Sequence, residues 1–257
     1  MILAVDFIRS YVEHAKADGV VLGVSGGIDS AVCLGLSIKA LNKGKVTGLW
    51  MPYGEISTKY INIVKEHFYP VKCLSKPIGS IVDRAVAITQ PTDDLRRGNI
   101  MARTRMMILY DYAKANNLLV VGTSNRTETM VGYFTKWGDG AGDIAPIANL
   151  YKHEVVEVAK ELGIPDEIIQ RVPSADFWEG QTDEGELGIS YKDLDAILEG
   201  LEKIHTTGSP LEVYRTQRQL ESKYSVDMID HVLGMMQSTA HKRLAIPNPD
   251  NWHGWEW

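Results

Sequence analysis

The sequence is poor in cysteine, has no long apolar run and carries no excess of positive charge. Its two cysteines, Cys33 and Cys73, lie in apolar surroundings without a CxxC pair, which indicates buried thiols in a reducing compartment. The seven histidines show no zinc-ligand spacing with these cysteines. No stretch approaches the roughly 20 apolar residues of a membrane span. Near the N-terminus, apolar residues repeat at helical spacing, and Asp6 and Glu13 break any signal-peptide core. We therefore expect a cytoplasmic protein with no membrane partner.

The charge balance argues against a nucleic acid partner. The chain of 257 residues has a formal net charge of −6, whereas general nucleic acid binding requires a basic surface. Hydrophobic residues make up 44% of the chain, which is ordinary for a globular protein with a substantial core. Local basic clusters can still hold an anionic small molecule.

Short β-rich runs alternate with helical patterns in the first half of the chain. The runs cover residues 20–24, 46–51, 71–75 and 118–122. This alternation predicts an α/β fold with a doubly wound, Rossmann-like parallel sheet that helices cover on both faces. A further strand is predicted over residues 144–147, although Pro146 is unfavourable inside a strand.

From residue 151 onward the patterns are mostly helical. Helices are predicted over residues 152–162, 191–200, 210–222 and 225–239. The polar stretch 172–190, rich in Gly, Asp, Glu and Ser, is predicted to be a functional loop, because long irregular loops are uncommon in compact domains. We predict a single domain over residues 1–257, with an α/β core of about 1–165 and a helical C-terminal part of about 166–257.

One predicted helix, over residues 98–117, is apolar on nearly all sides. A helix of this kind is buried on all sides. Either it is a central core helix, or its outer side meets a second subunit. The sequence favours neither interpretation.

The stretch "VLGVSGGIDS", residues 21–30, predicts a strand, a tight turn and a helix start. Gly26 and Gly27 permit positive φ and a close approach of the backbone to an anion, which N–H groups at the helix start bind. The stretch lacks the Walker lysine and the GxGxxG pattern, and it carries Asp29 instead. An aspartate repels phosphate unless a divalent cation lies between them, so Asp29 predicts Mg²⁺. The alternative is that Asp29 or Ser30 only caps the helix.

Several stretches together resemble a known enzyme family. "SGGIDS" resembles the SGGxDS loop of the ATP pyrophosphatases, in which the loop holds the β- and γ-phosphates while the α-phosphate is attacked. The ammonia-dependent NAD synthetases resemble this chain, in the same order, at "RRGNIMARTRM", "GTSNRTETMVGYFTKWGDGAGDIAPIANLYKHEV", "SADFWEGQTDEGELGISY" and "HKR". The resemblance runs from Gly23 to Arg243 and implies an adenine nucleotide alpha-hydrolase-like fold with a helical C-terminal part.

The resemblance implies a role for individual residues. The implied ATP-binding residues are Gly23, Val24, Ser25, Gly26, Gly27, Ile28, Asp29, Ser30, Thr123, Lys152 and Ser174. The implied deamido-NAD-binding residues are Arg103, Lys136, Asp143, His241 and Lys242. Asp29 and Glu128 would be the Mg²⁺ ligands. Of the two implied catalytic residues, Lys152 would stabilise charge on the phosphates, and Asp139 would bind ammonium and accept its proton.

The implied reaction is the amidation of deamido-NAD to NAD, the last step of NAD biosynthesis. ATP is the co-substrate, NAD-adenylate is the intermediate, and AMP and pyrophosphate are released. Ammonia is the implied nitrogen donor, because the chain is too short for the fused amidase domain of glutamine-dependent relatives and neither cysteine lies in a nucleophile-elbow context. A separate amidotransferase subunit stays an alternative. The resemblance also implies a homodimer with active sites at the interface.

The chain departs from the family pattern in three places. Ser174 replaces a threonine but keeps the hydroxyl, and Trp137 stands where relatives often have tyrosine. The segment 51–64 lacks the arginine and acidic pattern of bacterial relatives, which bears on the adenine contacts. The tryptophan-rich tail, residues 252–257, is expected to pack on the body of the protein.

Other interpretations stay open. Taken singly, Arg103 could neutralise a helix end, and Glu128 and Lys152 could be solvated surface charges. One rival function is another SGGxDS amidating or thiolating ligase acting on GMP, aspartate or tRNA. Thiolation needs a catalytic cysteine pair, a tRNA substrate needs a basic face, and a GMP-type enzyme would not explain "GYFTKWGDG". Another is a non-catalytic nucleotide-binding domain, which would need neither Glu128 nor the polar loop. ATP binding without release of AMP and pyrophosphate would favour the second rival.

Overall fold

The computed structural model describes residues 1–54, 57–178, 180–207 and 209–244. Within these ranges four strands form one parallel sheet in the order β3-β2-β1-β4. The strands are β1 Gly19–Gly23, β2 Val46–Trp50, β3 Lys72–Ser75 and β4 Leu118–Val120. Each lies within two residues of a predicted run, so the predicted parallel sheet is confirmed.

The strand predicted over residues 144–147 is wrong. Ile144 makes a single parallel bridge to Val121, and the chain then turns, with the Ala148 N–H donating to the Ala145 carbonyl at 3.2 Å. The physical reason is Pro146, which has no N–H to offer to a sheet.

Helices connect and follow these strands. They are α1 Ile2–His14, α2 Ile28–Leu41, α3 Lys59–His67, α4 Gly79–Thr89, α5 Asp94–Ala115, α6 Arg126–Val131, α7 Lys152–Glu161, α8 Asp166–Ile169, α9 Asp183–Leu187, α10 Tyr191–Thr206, α11 Pro210–Lys223, α12 Val226–Ser238 and α13 Ala240–Arg243. No helix in the described part of the chain combines the length and the apolar character that crossing a membrane requires.

Helices cover both faces of the sheet. Successive residues of β1 point to opposite faces, so Val20 and Leu22 pack in one hydrophobic cluster with α1, α2 and α7. Val21 packs in another cluster, with Leu49 of β2 and with residues of α4 and α5. Strands buried on both faces explain why these runs lack an alternating polar pattern.

The long helix α5 begins earlier than predicted. The Asp93 carboxylate accepts a hydrogen bond from the Arg96 N–H at 2.8 Å and caps the helix, so that it starts at Asp94. Its inner side is buried through Met101 and Ala102, whereas Met107 on the outer side is 49% exposed. A single chain therefore leaves part of this apolar helix uncovered.

The C-terminal helices build a separate cluster around α10. Leu194, Ile197 and Leu198 are fully buried there. The polar loop, residues 172–190, is not wholly irregular, because it contains α9, whose first turn Thr182 caps. The tryptophan-rich tail, residues 252–257, lies outside the described residues.

Candidate active site

A cavity of about 280 Å³ opens at the carboxyl ends of the strands. Its walls come from the loops after β1, β2 and β4, the middle of α5, the first residue of α7 and the polar loop. β1 lies between β2 and β4, so the chain reverses its winding direction beside it. Open α/β sheets bind ligands at such a switch point.

The glycine loop forms one wall of the cavity. Gly26 has φ +82°, and a Cβ at this position would lie 2.9 Å from the Cβ of Tyr60 on α3, so only glycine fits. The Ser30 hydroxyl donates to the Gly27 carbonyl at 3.0 Å, and the Gly27 N–H donates to the Ser25 hydroxyl at 3.1 Å. Of the predicted loop residues, all but Gly26 border the cavity, together with N–H groups at the start of α2.

Two acids from different strand ends meet at one lysine. The Lys152 ammonium lies 2.7 Å from Asp29 Oδ2 and 3.3 Å from Glu128 Oε1. Asp29 follows β1, Glu128 follows β4 and Lys152 begins α7, where its side chain is only 7% exposed. We call Asp29, Glu128 and Lys152 the acid–lysine cluster. It borders the cavity beside the glycine loop.

The charges of the acid–lysine cluster depend on one another. Burial disfavours the charged form of Lys152, but the charges of Asp29 and Glu128 outweigh burial, and the lysine pKa is raised. Burial raises the pKa of Glu128 to about 7, while the charge of Lys152 opposes this shift. The helix dipole alone would make a lysine at the start of α7 unfavourable, and the two carboxylates offset it.

Asn125, which sequence reasoning missed, connects the two acids. Its side-chain N–H donates to Asp29 Oδ1 at 2.9 Å, and its side-chain oxygen accepts from the Glu128 N–H at 2.9 Å. Glu128 completes a capping box by accepting from the Asn125 N–H at 3.2 Å. The pattern Asn-x-x-Glu in "SNRTE" was a usable signal for this helix start.

Contacts from the helical C-terminal part fix the backbone of Lys152. Its N–H donates to the Thr127 hydroxyl at 2.9 Å, and that hydroxyl donates to buried Asp195 of α10. The second oxygen of Asp195 accepts from the His153 N–H at 2.9 Å. No local sequence signal reveals this arrangement, because Asp195 lies far along the chain from Thr127.

A second carboxylate network lies next to the lysine. Asp183 of α9 is buried, and it accepts from the hydroxyls of Tyr133 at 3.1 Å and Tyr191 at 3.0 Å. The Lys152 ammonium lies 4.8 Å from the centre of the Tyr191 ring. Burial raises the pKa of Asp183. The polar loop was predicted to be functional, but none of these three residues was singled out.

The acid–lysine cluster is compatible with Mg²⁺. The described residues contain no group of three or more His, Cys, Asp or Glu side chains that could hold a metal ion. Mg²⁺, however, is often held by one or two carboxylates together with substrate phosphates. Asp29 and Glu128 converge on the same ammonium from two sides, so their oxygens can serve one cation.

Asp139 borders the same cavity in different surroundings. Solvent reaches it from the cavity, but protein surrounds its other sides, and this desolvation raises the pKa of its carboxyl group. The Thr135 N–H donates to Asp139 Oδ1 at 3.0 Å. The structure thus places Asp139 at the cavity that the glycine loop also borders.

Four of the residues predicted to bind deamido-NAD lie close together, but none of the four lines the cavity. Arg103 donates to the Lys136 carbonyl at 3.3 Å, and the Lys136 ammonium donates to the His241 carbonyl. Lys242 donates to the carbonyls of Gly132 and Phe134 at 2.7 and 2.9 Å. We call Arg103, Lys136, His241 and Lys242 the basic cluster.

Of the remaining predicted residues, two border the cavity and one does not. Thr123 and Ser174 border the cavity, and the Ser174 hydroxyl accepts from the Asp176 N–H at 3.1 Å. Asp143 does not border it, because its carboxylate accepts from the Val120 N–H at 2.8 Å and holds the following loop against β4.

Residues 172–177 of the polar loop line the cavity, and Phe177 packs against α5. A Cβ at Gly98 would lie 2.4 Å from the Phe177 ring, so the absence of a side chain lets the ring approach the helix. The Arg105 guanidinium lies 6.0 Å from the centre of the same ring and donates to the Met51 carbonyl at 3.1 Å. Sequence reasoning missed Arg105 and Phe177, although both lie in stretches that carried the resemblance.

Comparisons with known proteins give the same family throughout. A family model described as NAD synthase matches residues 2–246. The NH₃-dependent NAD⁺ synthetase of Pyrococcus furiosus is 44% identical over 243 residues, which cover 93% of this chain and 89% of that protein.

Solved structures agree with the sequence matches. The NMN synthetase of Francisella tularensis is 33% identical with a TM-score of 0.82, over 97% of this chain and 96% of that one. The NH₃-dependent NAD synthetase of Campylobacter jejuni is 30% identical with a TM-score of 0.78, over 95% and 94% of the two chains. The α/β fold is thus the Rossmann-like adenine nucleotide alpha-hydrolase fold of these structures. With its glycine loop and acid–lysine cluster at the switch point of that fold, the chain belongs to the NAD synthase family.

Proposed function

We propose that this protein is an ammonia-dependent NAD⁺ synthetase, a carbon–nitrogen ligase that converts deamido-NAD to NAD⁺ with ATP and ammonia. The observation that carries the proposal is the acid–lysine cluster beside the glycine loop, in a chain of this family. A domain that only bound a nucleotide would not require two acids from separate strand ends around one lysine.

The first step forms the adenylate. A nicotinate carboxylate oxygen of deamido-NAD attacks the α-phosphorus of ATP, the bond from that phosphorus to the bridging oxygen breaks, and pyrophosphate leaves. The N–H groups of the glycine loop bind the β- and γ-phosphates. Lys152 stabilises the negative charge that develops on the phosphates, because its raised pKa keeps it protonated. Thr123 and Ser174 offer hydroxyl groups to ATP from the cavity wall.

We assign the Mg²⁺ site to Asp29 and Glu128. When bound there, the ion would neutralise phosphate charge that these carboxylates would otherwise repel. Occupation by Mg²⁺ also requires ionised Glu128, and burial raises the pKa of that carboxyl group, so ion binding and loss of its proton are linked.

The second step forms the amide. The ammonia nitrogen attacks the acyl carbon of the adenylate, the bond from carbon to the phosphate oxygen breaks, and AMP leaves. Ammonium is not a nucleophile, so a base has to take its proton. Asp139 borders the cavity with a raised carboxyl pKa, which makes it a better base than an ordinary aspartate.

The basic cluster suits the phosphates of deamido-NAD. Arg103, Lys136, His241 and Lys242 contact one another or neighbouring backbone carbonyls, and Arg103 directly follows Ala102, which borders the cavity. Lys242 and Asp143 also make hydrogen bonds that hold the loops around Asp139. They would therefore contribute to deamido-NAD binding by positioning these loops as well.

The deciding experiment measures AMP and NAD⁺ from ATP, Mg²⁺, deamido-NAD and ammonium, with glutamine replacing ammonium in a parallel reaction. Equal amounts of AMP and NAD⁺ with ammonium alone are the expected result. ATP binding without AMP in either reaction would favour a nucleotide-binding domain instead. Omitting Mg²⁺ should abolish AMP formation, and Glu128→Gln should raise the Mg²⁺ concentration required.

A second candidate substrate follows from the Francisella tularensis structure, which is an NMN synthetase with a TM-score of 0.82 to this chain. Nicotinate mononucleotide carries the same reacting carboxylate but lacks the adenylate half of deamido-NAD. The two substrates should be compared at equal concentration in the same assay. A higher kcat/KM for nicotinate mononucleotide would mean that this compound, and not deamido-NAD, is the substrate. The two chemical steps would be the same for both compounds.

We further propose that the protein is a cytoplasmic homodimer. The partly exposed outer side of α5, with Met107 49% exposed, supports a subunit interface there. A dimer mass in sedimentation at micromolar concentration is expected, and a monomer mass would contradict the interface.

A further inference from the structure

One cation at the cavity has no role in the chemistry described above. Arg171 follows α8, borders the cavity and has a side chain that is only 14% exposed. Its Nη1 lies 3.5 Å from the carbonyl oxygen of Ser25 in the glycine loop. The guanidinium therefore lies directly beside the loop that suits the β- and γ-phosphates.

An aromatic ring sets the orientation of this guanidinium. Its carbon lies 4.4 Å from the centre of the Tyr60 ring. Tyr60 is at the start of α3, and Gly26 of the glycine loop approaches it so closely that a Cβ would lie 2.9 Å from the tyrosine Cβ. The loop, the ring and the guanidinium thus form one packed unit.

On its other side the guanidinium pairs with a carboxylate that a ligand can replace. Arg171 Nη2 forms an ion pair with Asp176, whose side chain is 47% exposed. Because the carboxylate side of this pair is open to solvent, water can hydrate Asp176 when an anion with more charge replaces it on the guanidinium. Phosphate oxygens accept the same pair of parallel hydrogen bonds from arginine that a carboxylate accepts.

The remaining cations of the cavity are committed elsewhere. Lys152 lies between Asp29 and Glu128. Arg105 lies against the Phe177 ring and donates to the Met51 carbonyl. Among the described residues that border the cavity, Arg171 is the cation whose acidic partner, Asp176, is substantially exposed to solvent.

We propose that Arg171 binds the β- and γ-phosphates of ATP and the departing pyrophosphate, and that Asp176 holds the guanidinium until these phosphates replace it. Arg171 thereby adds a positive charge on the side of the glycine loop that faces α3. The inference rests on the proposed function only in taking the glycine loop as the site of these two phosphates.

The test is calorimetric binding of magnesium pyrophosphate and, separately, of AMP to the full chain. AMP lacks the β- and γ-phosphates, so it reports on the rest of the nucleotide site. Arg171→Ala should weaken pyrophosphate binding about tenfold or more, because it removes charge-assisted hydrogen bonds, and should leave AMP binding within about twofold. Asp176→Asn should strengthen pyrophosphate binding, because the competing carboxylate is gone.

Arg218→Ala is the matched control. Arg218 also pairs with an acid, Glu221, and lies 5.5 Å from a tyrosine ring centre, but it is on α11 away from the cavity. It should change neither affinity. In the double variant Arg171→Ala/Asp176→Asn, the gain from Asp176→Asn should vanish, because that gain acts through Arg171.

Unchanged pyrophosphate affinity in Arg171→Ala, or equal losses for pyrophosphate and AMP, would overturn the inference. The outcome is separate from that of the proposed function. If the wild type forms no NAD⁺ but its pyrophosphate binding depends on Arg171, the inference stands and the proposed function fails. If the wild type forms NAD⁺ and Arg171→Ala binds pyrophosphate normally, only the inference fails.

Discussion

Two acidic sites border the same cavity, and they differ in their partners. Asp29 and Glu128 enclose a lysine ammonium at 2.7 and 3.3 Å. Asp139 accepts a backbone hydrogen bond at 3.0 Å, and in the described part of the chain it has no cationic group within ion-pair distance.

The difference separates two kinds of chemistry. In the acid–lysine cluster the lysine stays protonated, so the cluster presents a fixed cation and two oxygen ligands to the phosphates. Asp139 has no such partner and its carboxyl pKa is raised, so it can gain and lose a proton closer to neutral pH. A lysine that stays protonated suits adenylate formation, and a carboxylate without a cationic partner suits deprotonation of ammonium.

The largest expected effect comes from removing the cation of the acid–lysine cluster. Lys152→Met leaves two largely buried carboxylates without their partner, and breaking a buried ion pair costs about 3 kcal/mol of unfolding free energy. Loss of charge stabilisation should lower AMP formation about 10³-fold. Urea unfolding and the AMP assay measure the two effects.

Lys160→Met is the control for that variant. Lys160 lies on the same helix and pairs with Glu157, but both side chains are more than half exposed, so stability should change by less than about 0.5 kcal/mol. Comparable losses in both variants would mean that the burial of Lys152 is not what makes it important.

A smaller and more selective effect is expected at the other site. Asp139→Asn keeps the oxygen that accepts the Thr135 N–H but removes the base. NAD⁺ formation should fall about 10²-fold, whereas the first burst of pyrophosphate release should persist. Rapid-quench measurement of pyrophosphate and NAD⁺ separates the two steps. Asp230→Asn, an exposed change on α12, should affect neither, and equal loss of both steps in Asp139→Asn would reject a role limited to ammonia.

Much of the fold could be predicted from the sequence because its signals are local. Strands without alternating polar and apolar residues indicate burial on both faces of the sheet, and two glycines before a helix indicate a tight turn. The structure has both. The strand predicted at residues 144–147 failed because its apolar residues are buried in a turn that Pro146 keeps out of the sheet.

The site was only partly predictable, for a physical reason. Strand order brings the ends of β1 and β4 together, so a meeting of Asp29 and Glu128 could be expected from the motifs. The contacts that hold Lys152 depend on distant residues, such as Asp195 of α10 and Asp183 of α9. Such contacts arise from tertiary packing, and no spacing along the chain encodes them.

The smallest expected effect concerns the pH dependence of stability at Asp139. Its folded-state pKa is raised above the ordinary aspartate value of 3.8, so the folded protein binds this proton more readily than the unfolded chain. The stability from this proton is present below that ordinary value and is lost as pH rises through the raised pKa.

Asp139→Asn cannot titrate, so its stability relative to the wild type should increase as pH rises from 4 to neutrality. The gain should be less than about 0.5 kcal/mol, because solvent entering the cavity screens the carboxylate. Urea midpoints at closely spaced pH values, with Asp230→Asn as the control variant, measure the difference. A relative stability that instead fell with rising pH would mean that ionised Asp139 has a favourable partner. The contrast between a paired and an unpaired acidic site would then be lost.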